Sequence, residues 1–225
     1  MIGGHTGQIA HELNNTLTAL LGWAQQGLKS GQNPERTGEA LRQVSVSAER
    51  AVEICRGLLG LSRPHTGPKE MIPVNDIIKE ATSSLTGRLD KRSISLRCRC
   101  PDDLAVYGKR VELVQVLLNM LINSCQAMAD RGGTIKISAD RDSRAGCVNV
   151  TIADNGPGIS AENIRRIFEP FFTTRQTPDP SGHVGTGLGL AVCRDIVATH
   201  GGFIEVQSVE GQGASFTIFL PGSPT

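Results

Sequence analysis

VNVTIADNGPGI (Val148–Ile159) decides how the chain is read. Val148, Val150 and Ile152 alternate with Asn149, Thr151 and Ala153, the pattern of a strand with one buried face. The strand ends at Asp154, whose carboxylate can point into a cavity as an acceptor, for instance from an exocyclic amine. Gly156 and Gly158 let the backbone turn tightly and come close to a flat ligand. Alone, DNGPG is equally an ordinary turn.

The flanking sequence places this strand in a sheet. Upstream, Val74–Leu89 and Lys109–Ala129 read as helices, and Ser93–Cys98 and Thr134–Ala139 as strands. Downstream, Leu188–Thr199 is helical, and Phe203–Gln207 pairs with Ala214–Leu220 across a GQG turn. The order predicts an α/β sandwich, a mixed sheet with helices on one face. Two features add chemistry. Asn119 and Asn123 share one face of an otherwise apolar helix, suited to metal or phosphate ligation or to satisfaction by backbone. GTGLGL (Gly185–Leu190) opens a helix, where backbone N–H groups and the helix field favour an anion.

Residues 8–62 lack strand alternation. Ala10, Leu13, Leu17, Leu20, Ala24 and Gly27 recur at 3-4 spacing, as do Leu41, Val44, Ala48, Ala51, Cys55 and Leu58. Between them GLKSGQNPERTG (Gly27–Gly38) stops and restarts the helix. Two helices bury too little surface alone, so the seam calls for a second hairpin and a four-helix bundle, or else for packing on its own chain. SRPHTGPKE (Ser62–Glu70) reads as a linker. The expected class is α+β, with a helical hairpin over residues 1–65 and the sandwich over 66–225.

Composition excludes several functions. Among 225 residues, 23 Lys and Arg oppose 22 Asp and Glu, so the net charge of +1 gives no case for nucleic acid or an anionic membrane as partner. The best apolar run, Val116–Ile122, is broken by Asn119, and the N-terminus lacks the basic and apolar regions of a signal peptide. Six cysteines without CxxC spacing read as reduced thiols of a cytoplasmic protein.

LLNMLINSCQAM (Leu117–Met128), DNGPGI (Asp154–Ile159), IFEPFFTTR (Ile167–Arg175), GTGLGLAVCR (Gly185–Arg194) and GQGASFTIFLP (Gly211–Pro221) resemble, in order, the ATP-binding domain of sensor histidine kinases. That domain belongs to the Bergerat-type superfamily shared with gyrase, heat-shock chaperone and mismatch-repair ATPases. The resemblance implies ATP and Mg²⁺ as cofactors. Asn123 would ligate the metal beside Asn119, Asp154 would bind the adenine amine, and Gly156 and Gly158 would shape the pocket. Phe168, with Phe171 and Phe172, would hinge a lid over Thr173–Val184 in which Arg175 could meet the γ-phosphate. Gly185, Thr186, Gly187, Leu188 and Gly189 would close on the phosphates. Hydrolysing members carry Glu four residues before the metal-binding Asn, as general base. Here that position is Asn119, which cannot accept a proton at neutral pH, so the site should hold ATP for transfer.

HELNN (His11–Asn15) resembles the phosphoacceptor box of the same family in its H-E-x-x-N, nitrogen-regulatory-type form. A neutral imidazole is a competent nucleophile, and Glu12 can take its Nδ1 proton. The resemblance implies that His11 passes its phosphoryl group to an aspartate of a response-regulator receiver domain, that the chain works as a homodimer, and that Asn15 could orient water in dephosphorylating that partner. Thr16 stands where the family commonly has proline, which puts bending of the helix below His11 in question. Met1 lies ten residues before His11, so a sensor domain, and any membrane anchor, is expected in a longer parent. The competing readings are a non-catalytic phosphotransfer scaffold and a standalone ATPase.

Overall fold

The computed structural model describes the backbone of residues 3–31, 33–62, 68–85, 87, 89, 93–128, 131–142, 146–174 and 187–223, and the side chains of these except 3–12, 49–50 and 52–62. The chain divides into two compact units, residues 1–62 with 171–188, and residues 63–170 with 189–225.

In the first unit α1 (Gly3–Lys29) and α2 (Pro34–Ser62) form the expected hairpin. The restart falls inside the expected segment, at Pro34. Asn33 Oδ1 accepts from the Arg36 N–H at 3.1 Å, capping α2, and Pro34 takes the first helical position, where its missing N–H costs nothing. Gly38 therefore lies inside the helix. Gly31 makes the reversal with φ of 56°. With Thr16 in place of proline, α1 runs unbroken, and Thr16 is buried. The helices meet through small residues: a Cβ on Gly27 would stand 3.2 Å from Ala40 Cβ, and Ala40 and Ser47 are buried. Of the seam leucines, Leu17 and Leu41 stay 42% and 63% exposed, and Leu21 and Leu28 are exposed beside them.

The second unit starts with a short ribbon that the sequence reading placed partly in the linker. β1 (Glu70–Pro73) pairs antiparallel with β3 (Ala105–Gly108), four residues each, too short for alternation to show. β1 runs directly into α3 (Val74–Ser83), which ends six residues before the expected Leu89. The main sheet contains β2 (Ile94–Arg99), β4 (Gly133–Asp142), β5 (Cys147–Asp154), β6 (Phe203–Val209) and β7 (Gly213–Pro221), in the order β2-β4-β5-β7-β6. Among the described residues only β2 and β4 pair in parallel, so the sheet is mixed.

Helix α4 (Arg110–Ala127) packs between α3 and α6 (Gly189–Thr199), and the one-turn α5 (Ala161–Ile164) lies between α4 and α6 in sequence. Its buried Leu113, Val116, Leu117, Met120 and Leu121 fall at helical spacing. Ile135 and Ile137 of β4, Val150 and Ile152 of β5, and Phe216 and Ile218 of β7 are buried at alternate positions of the central strands. Burying each such side chain contributes about 1.5–3 kcal/mol. Cys98, Cys100, Cys125, Cys147 and Cys193 are thiols; the Cys55 side chain lies outside the described residues. Among the described residues, no helix is long and apolar enough to cross a membrane.

One titratable ring sits inside this unit. His200, 3% exposed, places Nδ1 2.8 Å from the Ile196 carbonyl, and its Nε2 accepts from the Lys109 N–H at 3.0 Å. The ring is thus the neutral Nδ1–H tautomer. Burial lowers its pKa from the ordinary 6.5, outweighing the Ile196 carbonyl and Glu112, while Lys69 and Lys109 add to the lowering. The unfolded ring takes a proton more readily, so this contribution is full above pH ~6.5 and is lost as pH falls below it. Urea unfolding at pH 7.5 and 5.5 should show a larger loss of stability for wild type than for His200→Gln; equal losses would contradict this.

Candidate nucleotide site and phosphoacceptor helix

Asp154 closes β5, the middle strand, and is paired to Ile135 on one side and Ala214 on the other. Its end of the strand is therefore held by two neighbours. Both carboxylate oxygens are held as well. Ser124 Oγ donates to Oδ2 at 3.0 Å, and the Gly156 N–H donates to Oδ1 at 2.9 Å. An ionised carboxylate has about four acceptor sites, so two remain for a donor from a ligand.

The turn after Asp154 is fixed by three hydrogen bonds, from two sides. Asn155 Oδ1 accepts from the Thr134 N–H at 2.7 Å, tying the turn to β4. The Ile159 N–H donates to Ser208 Oγ at 2.8 Å, and the Gly211 N–H donates to the Pro157 carbonyl at 2.6 Å, tying it to the β6–β7 hairpin. Gly158 sits at φ 71°, and a Cβ there would collide with the Val209 carbonyl. Gly156 is buried, and a Cβ on it would come 2.9 Å from Asp154 Oδ1 and 3.2 Å from Met128 Cγ. Glycine is required at both positions for close approach.

Helix α4 supplies the facing side. Asn119 and Asn123 are half-buried one turn apart, and Asn119 Nδ2 donates to the Gly189 carbonyl at 3.4 Å. Asn119 therefore links α4 to the first residue of α6. Beneath it, Cys193 is fully buried, its thiol donating toward the Val116 carbonyl at 3.6 Å. Burial pushes this thiol up to about 12, against a hydrogen bond with Asn119 that lowers it, so it is inert packing.

Phe168 is half-buried. Phe171 carries φ of 68°, a left-handed conformation uncommon for a non-glycine residue, and its N–H donates to the Gly187 carbonyl at 3.0 Å. Gly187, at φ 66°, lies so close that a Cβ would strike the backbone of Phe171 and Phe172. These bonds close the base of the segment expected to be the lid. Leu188 is buried and Gly189 opens α6. Arg175, Gly185 and Thr186 lie outside the described residues. His11 and Glu12 fall within α1, with side chains outside the described residues; Asn15 is exposed.

Two contributors escaped the sequence reading. Ser124 follows Asn123 directly and is a lone hydroxyl in a buried apolar stripe, a pattern that could have drawn attention. Asn155 lies inside DNGPGI, and its role is invisible in the sequence because its target, the Thr134 amide, is set by strand pairing.

Residues 108–224 match the family described as histidine kinase-, DNA gyrase B- and HSP90-like ATPase, and residues 3–67 match the His kinase A (phospho-acceptor) domain. The chain belongs to the sensor histidine kinases. It is 34% identical over 214 residues to the sensor histidine kinase ZraS of Salmonella typhimurium, covering 95% of this chain and 44% of ZraS. It is also 34% identical over 222 residues to the signal transduction histidine-protein kinase AtoS of Escherichia coli, covering 96% of this chain and 34% of AtoS. The chain thus spans under half the length of these curated relatives. Among solved structures, histidine kinase ThkA in complex with response regulator protein TrrA matches with a TM-score of 0.78 at 28% identity, covering 99% of this chain and 62% of that one. Acinetobacter baumannii histidine kinase AdeS matches at 0.71 and 26% identity, covering 95% and 98%. Both domains of a histidine kinase are therefore present, with the phosphoacceptor match on the hairpin and the ATPase match on the sandwich.

Ser124→Ala would remove one restraint on Asp154, at about 1 kcal/mol, and should weaken ADP binding about fivefold in calorimetric titration. Gly158→Ala should cost more, because Val209 is backbone and cannot move aside; loss of measurable ADP binding with a lowered melting temperature is expected.

Proposed function

We propose that this chain binds Mg-ATP through the second unit, phosphorylates His11, and delivers the phosphoryl group to an aspartate of a response-regulator receiver domain. The observation that carries this reading is the carboxylate of Asp154, held at the end of the central strand by Ser124 and Gly156, in a chain that also carries a phosphoacceptor hairpin. A fixed acceptor at that position suits the adenine 6-amine.

Asn123 and Asn119 offer neutral carboxamide oxygens, hard donors of the kind Mg²⁺ accepts when substrate phosphates complete its shell. Bound Mg²⁺ would neutralise phosphate charge. The transfer itself would form a bond from His11 Nε2 to the γ-phosphorus and break the bond to the β-phosphate oxygen, releasing ADP. Glu12, next in sequence, would take the Nδ1 proton, and the receiver carboxylate would then displace the imidazole. With Asn119 tied to Gly189 and lacking basicity, water activation has no base at that position, which favours transfer over hydrolysis.

The exposed Leu17, Leu21, Leu28 and Leu41 support a homodimer closed by a four-helix bundle, since burying these leucines requires a partner surface. A division near residues 65–66 separates the proposed phosphotransfer hairpin from the ATP-binding domain. Asn15, exposed four residues after His11 on α1, would serve a dephosphorylation step toward the regulator. The sensor domain, and any membrane anchor, would lie in the parent outside this catalytic core.

Incubation with γ-labelled ATP should give acid-labile, base-stable label on wild type, none on His11→Ala, and a loss of at least about tenfold on Asn123→Ala. Label that survives His11→Ala would rule out His11 as acceptor. Unlabelled wild type with rapid ATP turnover would favour a standalone ATPase.

A further inference from the structure

Helices α4 and α6 touch at three levels along their length. At one end His200, just past α6, accepts from the Lys109 N–H at the cap of α4. In the middle the Cys193 thiol meets the Val116 carbonyl. At the start of α6 the Gly189 carbonyl meets Asn119 Nδ2, midway along α4. The spacing is closely matched. From Lys109 to Val116 is seven residues, and from His200 back to Cys193 is also seven; the last step covers three residues on α4 and four on α6. At about 1.5 Å rise per residue the helices run antiparallel in a shared register, about 15 Å from pin to pin. A slip of one residue would turn α6 by about 100° and carry Gly189 away from Asn119.

His200 is well built for the far pin. Both ring nitrogens are engaged, with Ile196 on its own helix and Lys109 on the other. Gly108 leaves room for the ring, since a Cβ there would lie 2.6 Å from His200 Cδ2. Glu112 Oε2 stands 3.7 Å from Nε2 and Lys109 Nζ 3.5 Å from Glu112 Oε1, while Lys69 Nζ donates to the Thr199 carbonyl at 3.0 Å. The end of α6 is thus bound to α4 and to the residue before β1.

We infer that His200, remote from the nucleotide, is a positioning residue that sets the register of α6 against α4 and so holds the start of α6 beside Asn119 and Asn123 for phosphate binding. This rests on the proposed nucleotide site. It predicts an effect on affinity beyond stability, and the shape of the side chain decides it. Glutamine can bring a carbonyl oxygen near the place of Nε2 and accept from Lys109; asparagine is too short, and alanine offers no acceptor.

The test is ADP binding by calorimetry on the purified chain, at a temperature where circular dichroism shows each variant folded. His200→Ala and His200→Asn should weaken ADP about five- to tenfold, and His200→Gln should stay within about twofold of wild type. If alanine does not fold, the Gln and Asn pair decides. Equal ADP affinity for Gln and Asn, or affinities for Ala and Asn within twofold of wild type despite lowered melting temperatures, would show a purely structural histidine and overturn the inference. Absence of ADP binding by wild type would instead overturn the nucleotide reading beneath it.

Discussion

The hydrogen bonds from Ser124 and Gly156 to Asp154 are the constraint on which the site depends. They join three elements: α4, the end of β5 and the glycine turn. A carboxylate at a strand end could swing freely, and a swinging acceptor reads nothing. Here the sheet fixes its backbone through β4 and β7, the buried hydroxyl of α4 holds one oxygen and the turn holds the other. A ligand donor then meets an acceptor whose orientation has already been set, so little ordering cost is left to binding.

The same logic extends outward. The glycine turn is anchored on the β6–β7 hairpin through Ser208, whose hydroxyl donates to the Gly213 carbonyl at 2.7 Å while accepting from Ile159. On the other side, α6 is set against α4 by bonds at both ends and the middle. Of the residues proposed to face the nucleotide, Asp154 is carried by β5 and Asn119 and Asn123 by α4, while the turn of Gly156 and Gly158 is pinned to β4 and to the β6–β7 hairpin. The Phe171 N–H, bonded to the Gly187 carbonyl, holds the approach to α6 in place.

Much of this was legible in the sequence because it is local. Alternation over Val148–Ala153 marked β5, the 3-4 spacing marked the hairpin, and Gly156 and Gly158 marked the turn. What was not legible depends on pairing across the chain. The β1–β3 ribbon is four residues on each side and is stabilised by its register, not by its pattern. Ser124 acquires its role only when α4 lies under β5, and His200 only when α6 is laid antiparallel on α4; in sequence it stood as a histidine before two glycines. Within the expected stop-and-restart segment the start of α2 is set by Asn33 and Pro34, since a cap with proline at the first helical position outweighs one interior glycine at Gly38.

The central claim is that a pre-set carboxylate reads the 6-amine of the purine. It is tested most directly by comparing ADP with inosine diphosphate, which carries a carbonyl in place of that amine, on wild type and on Asp154→Asn. A hydrogen bond to a charged acceptor contributes about 1.5–3 kcal/mol, so wild type should prefer ADP by about ten- to a hundredfold. Asp154→Asn should lose most of that preference. Equal binding of the two nucleotides by wild type, or an undiminished preference in Asp154→Asn, would contradict the account.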